Sequence, residues 1–249
     1  MGAKEVRSEF LRHCLNNQDP YSGSSQSNID VGYPHTHLNE EFFRQILNSY
    51  SIEWIIEVGS MVGGSAIRMC EVAKSADVEI FVTCIDPFTG DVNMWEQEPY
   101  LEGWKYLNLE NGMPTIGKRF LSNVFHSGHS ESILPLNTTS SVGLKLLKRL
   151  VSDRRIHQLP NAIYLDSAHE EDETYLELKL CFELLPIGGI LFGDDWEWDA
   201  VKTDVIRFAN DMNQDGRIGF TEGSLSDLDH ERFAGGVYLF GDHWLIVKS

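Results

Sequence analysis

The stretch "IIEVGSMVGGSAIRMC", Ile55–Cys70, passes from a strand pattern through three glycines into a helix pattern. Trp54–Val58 is short and apolar, and Ala66, Met69, Cys70 and Ala73 recur on one helical face. Glycine between a strand and a helix permits a sharp turn and lets a ligand approach the amides at the helix start. On this reading Gly59 makes the turn, Gly63 and Gly64 clear space beside the helix, and Ser65 caps it. The spacing is not G-x-G-x-x-G, so the turn is not the dinucleotide fingerprint. A strand–turn–helix without a ligand is the alternative, and Asp86 at the end of the next strand argues against it.

Outward from this stretch, strand and helix patterns alternate. "VEIFVTCID" is a buried strand ending at Asp86, where Pro87 stops it. "NVFHSGHS" reads as a further strand with its exit loop, and "NAIYLDSAH" and "GILFGDDW" as strands running into charge. "LNEEFFRQILNSY" is a helix with Asn39 as N-cap and Glu40 and Glu41 in the first turn. "GVYLFGDHWLIVKS" reads as a closing hairpin through Gly241-Asp242. The alternation implies an α/β fold: a doubly wound, mostly parallel, seven-stranded sheet of Rossmann-like type with an antiparallel last strand and an N-terminal helical extension. A single domain over residues 1–249 is expected, with residues 1–50 as extension or cap and residues 88–118 as an irregular insertion. Polar residues recur where strands end: Glu57, Asp86, His129/Ser130, Asp166 and Asp194/Asp195. In an open parallel sheet such ends share one edge, where ligands bind.

The chain has 249 residues and a net charge of −18, from 20 Lys+Arg against 38 Asp+Glu. Such a balance repels nucleic acid and anionic membrane, so neither is an expected partner. Lys145, Lys148, Arg149, Arg154 and Arg155 form a local basic group that reads as a solvated helix face. The four cysteines lack paired C-x-x-C spacing, and no apolar run approaches a membrane span. A soluble cytoplasmic protein is expected, and a homo-oligomer is compatible with it.

The motif Glu57-x-Gly59-x-x-x-Gly63-x-Ser65 resembles the first motif of class I S-adenosylmethionine-dependent methyltransferases. Asp86 resembles the acidic residue that holds the ribose hydroxyls there, and "FHSGHSESILP" the segment that flanks the adenine, with Ser130 as the best match. The resemblance continues through "AIYLDSAHEEDETYLELKLCFELLPIGGILFGDDW" and is to the group containing the macrocin and mycinamicin sugar O-methyltransferases. It spans roughly residues 50–210. It implies S-adenosylmethionine held by Glu57, Gly59, Ser60, Gly63, Ser65, Asp86, Ser130 and Asp166, with Glu57 anchoring a network around the amino-acid end.

Asp166, Asp194 and Asp195 follow neighbouring strands, and carboxylates a few ångströms apart repel strongly. A hard divalent cation removes that repulsion, and oxygen ligands favour Mg²⁺ over Zn²⁺. In the resembled group an Asp-x-x-His and a later acidic pair supply metal ligands and a base. That later pair tends to be Glu-Asp there and is Asp194-Asp195 here. The expected roles are thus Asp166, Asp194 and Asp195 on Mg²⁺ and His169 as general base. A metal lowers the pKa of a hydroxyl, and an imidazole can take its proton. The acceptor is expected to be a hydroxylated small molecule such as a natural-product sugar. A catechol-type acceptor, or a cofactor- or calcium-binding protein without transfer activity, is the alternative. Trp95, Trp104 and Tyr106 offer flat faces for an acceptor lid or, equally, pack the insertion onto the core.

"DMNQDGRIGFTE", from Asp211 to Glu222, matches the twelve-residue calcium loop at Asp211, Asn213, Asp215, Gly216, Ile218 and Glu222. Gly223-Ser224 follow where an exit helix would begin, so a polar turn into the last strands is the preferred reading.

Overall fold

A computed structural model describes residues 2–22, 36–96, 104–167, 169–212, 221–222 and 236–248. The core is one sheet in the order β3-β2-β1-β4-β5-β8-β7-β6. Its strands are β1 Trp54–Val58, β2 Phe81–Asp86, β3 Ile133–Asn137, β4 Ala162–Leu165, β5 Ile190–Gly193, β6 Thr221–Glu222, β7 Val237–Phe240 and β8 His243–Val247. The first five are mutually parallel, with Val58 beside Ile85 on one side and Leu165 on the other. β8 runs antiparallel to both β5 and β7, which makes the expected antiparallel last strand and closing hairpin. The two-residue β6, beside β7, brings the described strands to eight rather than seven.

Every residue of β1, β2, β4 and β5 is buried, so both faces of the central sheet are covered. The N-terminal segment is part of that cover. Phe10 of α1 (Ala3–Cys14) meets Phe81 edge-on at 5.8 Å, and Phe42 and Phe43 of α2 (Glu40–Ser49) are buried over Phe192. Asn39 caps α2 by accepting from the amides of Glu41 and Phe42, as its sequence position predicts. α2 packs against α3 (Gly64–Ser75), while α7 (Ser140–Ser152), α8 (Glu173–Leu184) and α9 (Asp199–Met212) pack in succession. The insertion carries two four-residue helices, α4 (Val92–Trp95) and α5 (Trp104–Leu107).

One expected element is different. "NVFHS" is not a strand but the end of α6, Ile116–Ser127. Ile116, Phe120 and Val124 recur every fourth residue and are buried, a helical stripe that a short window around Val124-Phe125 does not reveal. Gly128 ends the helix in the left-handed region at φ 77°, and β3 begins only at Ile133. Of the calcium-loop-like stretch, residues 213–220 lie outside the described residues, and Asp211 lies in the last turn of α9. No described helix is long and apolar enough to cross a membrane. All four cysteines are free, and Cys70, Cys84 and Cys181 are buried.

Trp244 joins the antiparallel strand to the parallel ones. It is fully buried, and its indole N–H donates to the backbone carbonyl of Asp194 at 3.0 Å. Trp244→Ala should cost about 3–5 kcal/mol, the usual range for emptying a buried indole site. Trp244→Phe should recover much of the packing but not the hydrogen bond. Urea denaturation followed by circular dichroism measures both losses, and a cost below about 1 kcal/mol for the alanine variant would refute the role.

Candidate active site

A cavity of about 760 Å³ opens at the C-terminal ends of the parallel strands. Its floor is the turn after β1. Gly59 has φ 81°, and a Cβ there would lie 2.0 Å from the carbonyl oxygen of Asp166. The bare backbone at 59 is thus required first by the chain after β4. Gly63, at φ 88°, is the N-cap of α3, and a Cβ there would press on the Phe120 ring at 3.2 Å. Gly63 is absent from the cavity wall, whereas Gly59, Ser60, Gly64 and Ser65 line it.

Asp86 braces this turn. Its Oδ2 accepts from the amides of Ser60 at 2.8 Å and Met61 at 2.7 Å, and its Oδ1 from the amide of Phe88 at 2.5 Å. Burial raises the Asp86 carboxyl above its ordinary value, and these amide bonds oppose the rise. Ser65 does not cap α3. It sits in the first turn, and its hydroxyl donates to Glu57, which also receives the Cys84 thiol at 3.2 Å. Glu57 is fully buried in the sheet and is linked to the cavity through Ser65, which lines it. Burial pushes its carboxyl upward, against bonds from Ser60, Ser65 and Cys84.

Ser130 is not at this edge. Because "NVFHS" is helical, His129 and Ser130 precede β3 and stand at the opposite end of the sheet, where Arg7 reaches the Ser130 carbonyl at 3.4 Å. Thr139, Ser140 and Ser141, which follow β3 and open α7, line the cavity instead. A run of four hydroxyl residues, Thr138–Ser141, ahead of a helix pattern was the signal for them.

The acidic group that converges holds His169 in the place expected of Asp194. Ligand atoms of Asp166, His169 and Asp195 lie within 4.8 Å of one another. His169 Nε2 is 2.8 Å from Asp195 Oδ2, and its Nδ1 is 4.0 Å from Asp91 Oδ2. Asp195 holds its carboxylate there from a left-handed backbone at φ 57°. Asp194 stands behind this group, 3% exposed, with Oδ1 accepting no hydrogen bond among the described residues. The Asp166 carboxyl is held well above the ordinary range by burial and by Asp194 and Asp195, and Asp194 is pushed up to about 7 by burial and Asp195. His169 is raised mainly by its bond to Asp195. Clustered carboxyls and an orphaned buried oxygen are what a divalent cation relieves, so these residues fit one.

The insertion contributes to the wall of this cavity. Asp91 caps α4 through the Met94 amide at 2.9 Å. Asp91, Met94, Tyr106 and Arg119 line the cavity, and Thr36 and His37 add the segment before α2. Trp95 instead turns outward, 46% exposed, with its indole N–H on the Thr89 carbonyl. The Trp104 side chain lies outside the described residues. Asp91 and Arg119 were missed in the sequence because nothing local distinguishes them from surface charge.

The raised Asp194 carboxyl has a defined consequence for stability. Its folded value, about 7, lies above the ordinary aspartate value, so the protonated form favours the fold. In chelator, this residue's contribution is present at low pH and is lost as pH rises through about 7. Asp194→Asn is neutral throughout, so its melting-temperature advantage over wild type should widen between about pH 5 and pH 8. Scanning calorimetry in EDTA at both values reads this directly, and a margin that narrows would contradict the shift.

No family profile matches this sequence, and no curated protein matches it. Solved structures do resemble it. A Klebsiella pneumoniae crystal structure, assigned provisionally as an O-methyltransferase, aligns at a TM-score of 0.52 and 13% identity, over 96% of this chain and 95% of its own. The O-methyltransferase NovP aligns at 0.50 and 16% identity, over 84% of this chain and 79% of its own. MycE, a mycinamycin-pathway methyltransferase in complex with Mg and SAH, aligns at 0.45 and 13% identity, over 84% of this chain and 47% of its own. At such identities the likeness is one of fold, and the fold of this chain is the Rossmann-like fold solved for O-methyltransferases.

Proposed function

We propose that the protein is an O-methyltransferase that moves the methyl group of S-adenosylmethionine to a hydroxyl of a small molecule, with Mg²⁺ at the acidic site. The leading acceptor is a sugar of a natural product. The observation that carries this reading is the meeting, in one cavity, of the acid-braced turn after β1 with Asp166 and His169, the imidazole being bonded in turn to Asp195. The fold shared with solved O-methyltransferases supports it.

In this reading Gly59, Ser60 and Ser65 receive the amino-acid end of the cofactor, with Glu57 orienting Ser65 from behind. Asp86 keeps the turn in shape and faces the ribose, and Thr139–Ser141 take the place expected of Ser130 beside the adenine. The cofactor supplies an activated sulfonium methyl, so alignment of the acceptor hydroxyl is most of what the chain must provide. A bound Mg²⁺ would supply the positive charge that acidifies that hydroxyl. Asp166 and Asp195 are the residues to hold it, with Asp194 behind them. The imidazole of His169 takes the hydroxyl proton. Asp195 favours the protonated imidazole while it carries its full charge, so a cation on Asp195 leaves His169 readier to act as a base. Residues 1–249 form one methyltransferase domain, with residues 88–118 as the acceptor lid. Four free cysteines suit a reducing compartment, the cytoplasm.

Calorimetry should detect binding of S-adenosylhomocysteine, weakened about 10- to 100-fold in Asp86→Ala as three amides and the ribose lose their charged partner. With the acceptor in hand, chelation should abolish turnover while cofactor binding persists. His169→Ala should lower methyl transfer by about 10²–10⁴-fold. Absence of cofactor binding by the wild type sinks the reading. Full turnover in chelator removes the metal from it.

A further inference from the structure

The cavity has an unbalanced charge and an aromatic neighbour that the proposed chemistry does not use. Asp86, Asp91, Asp166, Glu173 and Glu177 line it, and Asp195 contacts its His169, whereas Arg119 is the one Lys or Arg in its described wall. Some of that negative charge is already met. Three amides hold Asp86, and the Ser167 hydroxyl donates to Glu177. A divalent cation at Asp166 and Asp195 would meet more. Glu173 remains, and so does Asp91 beyond the single Met94 amide on its Oδ1. Asp91 points an oxygen towards His169 at 4.0 Å, and Glu173, exposed in the first turn of α8, has no ion pair among the described residues.

Trp198 is the second, independent observation. It lies in the turn after β5, its amide bonded to the Asp195 carbonyl at 3.0 Å. Its ring centroid is 4.9 Å from that of His169, tilted by 33°, yet the residue remains 47% exposed. An indole of this size left half in water has apolar area to offer a ligand. Trp198 stands outside the cavity wall and reaches it through His169, while the wall itself offers apolar area at Tyr106 and Leu176, 52% and 61% exposed, beside Met94.

Resting on the methyltransferase reading, we propose that the acceptor is a ring-bearing hydroxyl compound, uncharged or cationic, seated against Trp198, and that anionic acceptors are disfavoured by Asp91 and Glu173. The indole supplies a face for a planar or pyranose ring and, next to a protonated amine, a cation–π partner. The two carboxylates repel a carboxylated or phosphorylated acceptor before it reaches His169. The charge of the acceptor is therefore selected apart from the reacting hydroxyl.

Three catechols test this: neutral pyrocatechol, and 3,4-dihydroxyphenethylamine and 3-(3,4-dihydroxyphenyl)propanoate, which share a two-carbon arm and differ in the charge at its end, titrated calorimetrically into the protein with Mg²⁺ and S-adenosylhomocysteine. The amine should bind at least about tenfold tighter than the carboxylate at low salt, and the gap should shrink at about 0.5 M salt. Glu173→Gln should narrow the gap without moving pyrocatechol. Trp198→Ala should weaken all three probes about 3- to 10-fold, and Trp198→Phe should restore most of that. S-adenosylhomocysteine affinity, measured in every variant, controls for folding. If the wild type fails to bind it, the methyltransferase reading falls, while the ranking of the probes still decides the charge preference. The inference is overturned if the carboxylate binds as well as the amine, or if Trp198→Ala changes nothing. It is equally overturned if none of the probes binds at millimolar concentration while S-adenosylhomocysteine does.

Discussion

The carbonyl oxygen of Asp166 occupies the space where a side chain at position 59 would begin. That contact joins the chain leaving β1 to the chain leaving β4. The amide of Asp166 donates to Val58 at 2.9 Å, and the amide of Gly59 donates to Ile85 at 3.0 Å. Three strand ends are thus stitched at one point, and the glycine turn lies beside the acidic group. A larger residue at 59 would meet backbone atoms rather than a side chain that could move aside, and its φ would be strained as well.

Electrostatics organises what lies above that point. Glu57 is met by a hydroxyl and a thiol, Asp86 by three amides and Asp195 by an imidazole. Asp166 receives only a long bond from the Tyr164 hydroxyl, at 3.4 Å, and Asp194 Oδ1 none among the described residues, and both carboxyls are pushed toward the neutral form. Buried carboxyls left in that state weaken the fold. A chain that retains them does so at a site where charge is wanted, which is the pattern of stability yielding to function.

The antiparallel strand β8 controls where Asp194 and Asp195 stand. It pairs with β5 across Gly193, and Trp244 packs where a Cβ at Gly193 would fall, 2.5 Å from the ring. The indole N–H then holds the Asp194 carbonyl. The turn that follows carries Asp195 in a left-handed conformation and Trp198 against His169. A strand far along the chain from the glycine turn therefore sets the acidic half of the site.

Much of this was legible in order along the chain. Apolar runs at Trp54–Val58 and Ala162–Leu165, the Asn39 cap, the Gly241 hairpin and the acidic residues closing β2, β4 and β5 are local signals, and each formed where its pattern placed it. Hydrophobic period, turn chemistry and capping act within a few residues, so the sequence by itself determined the elements and which strands end in charge. It misread Val124-Phe125, because two adjacent apolar residues suit a strand or a helix and only Phe120 and Ile116 packing beneath them decide. That one element carried Ser130 to the far edge and left the place to Thr139–Ser141. Asp91 near His169 and Trp198 against the imidazole belong to tertiary structure alone. Contacts between residues tens of positions apart depend on strand order and on burial, which no local pattern encodes. The sequence therefore named most of the groups that could do chemistry, and the packing of β1, β4, β5 and β8 decided which of them meet.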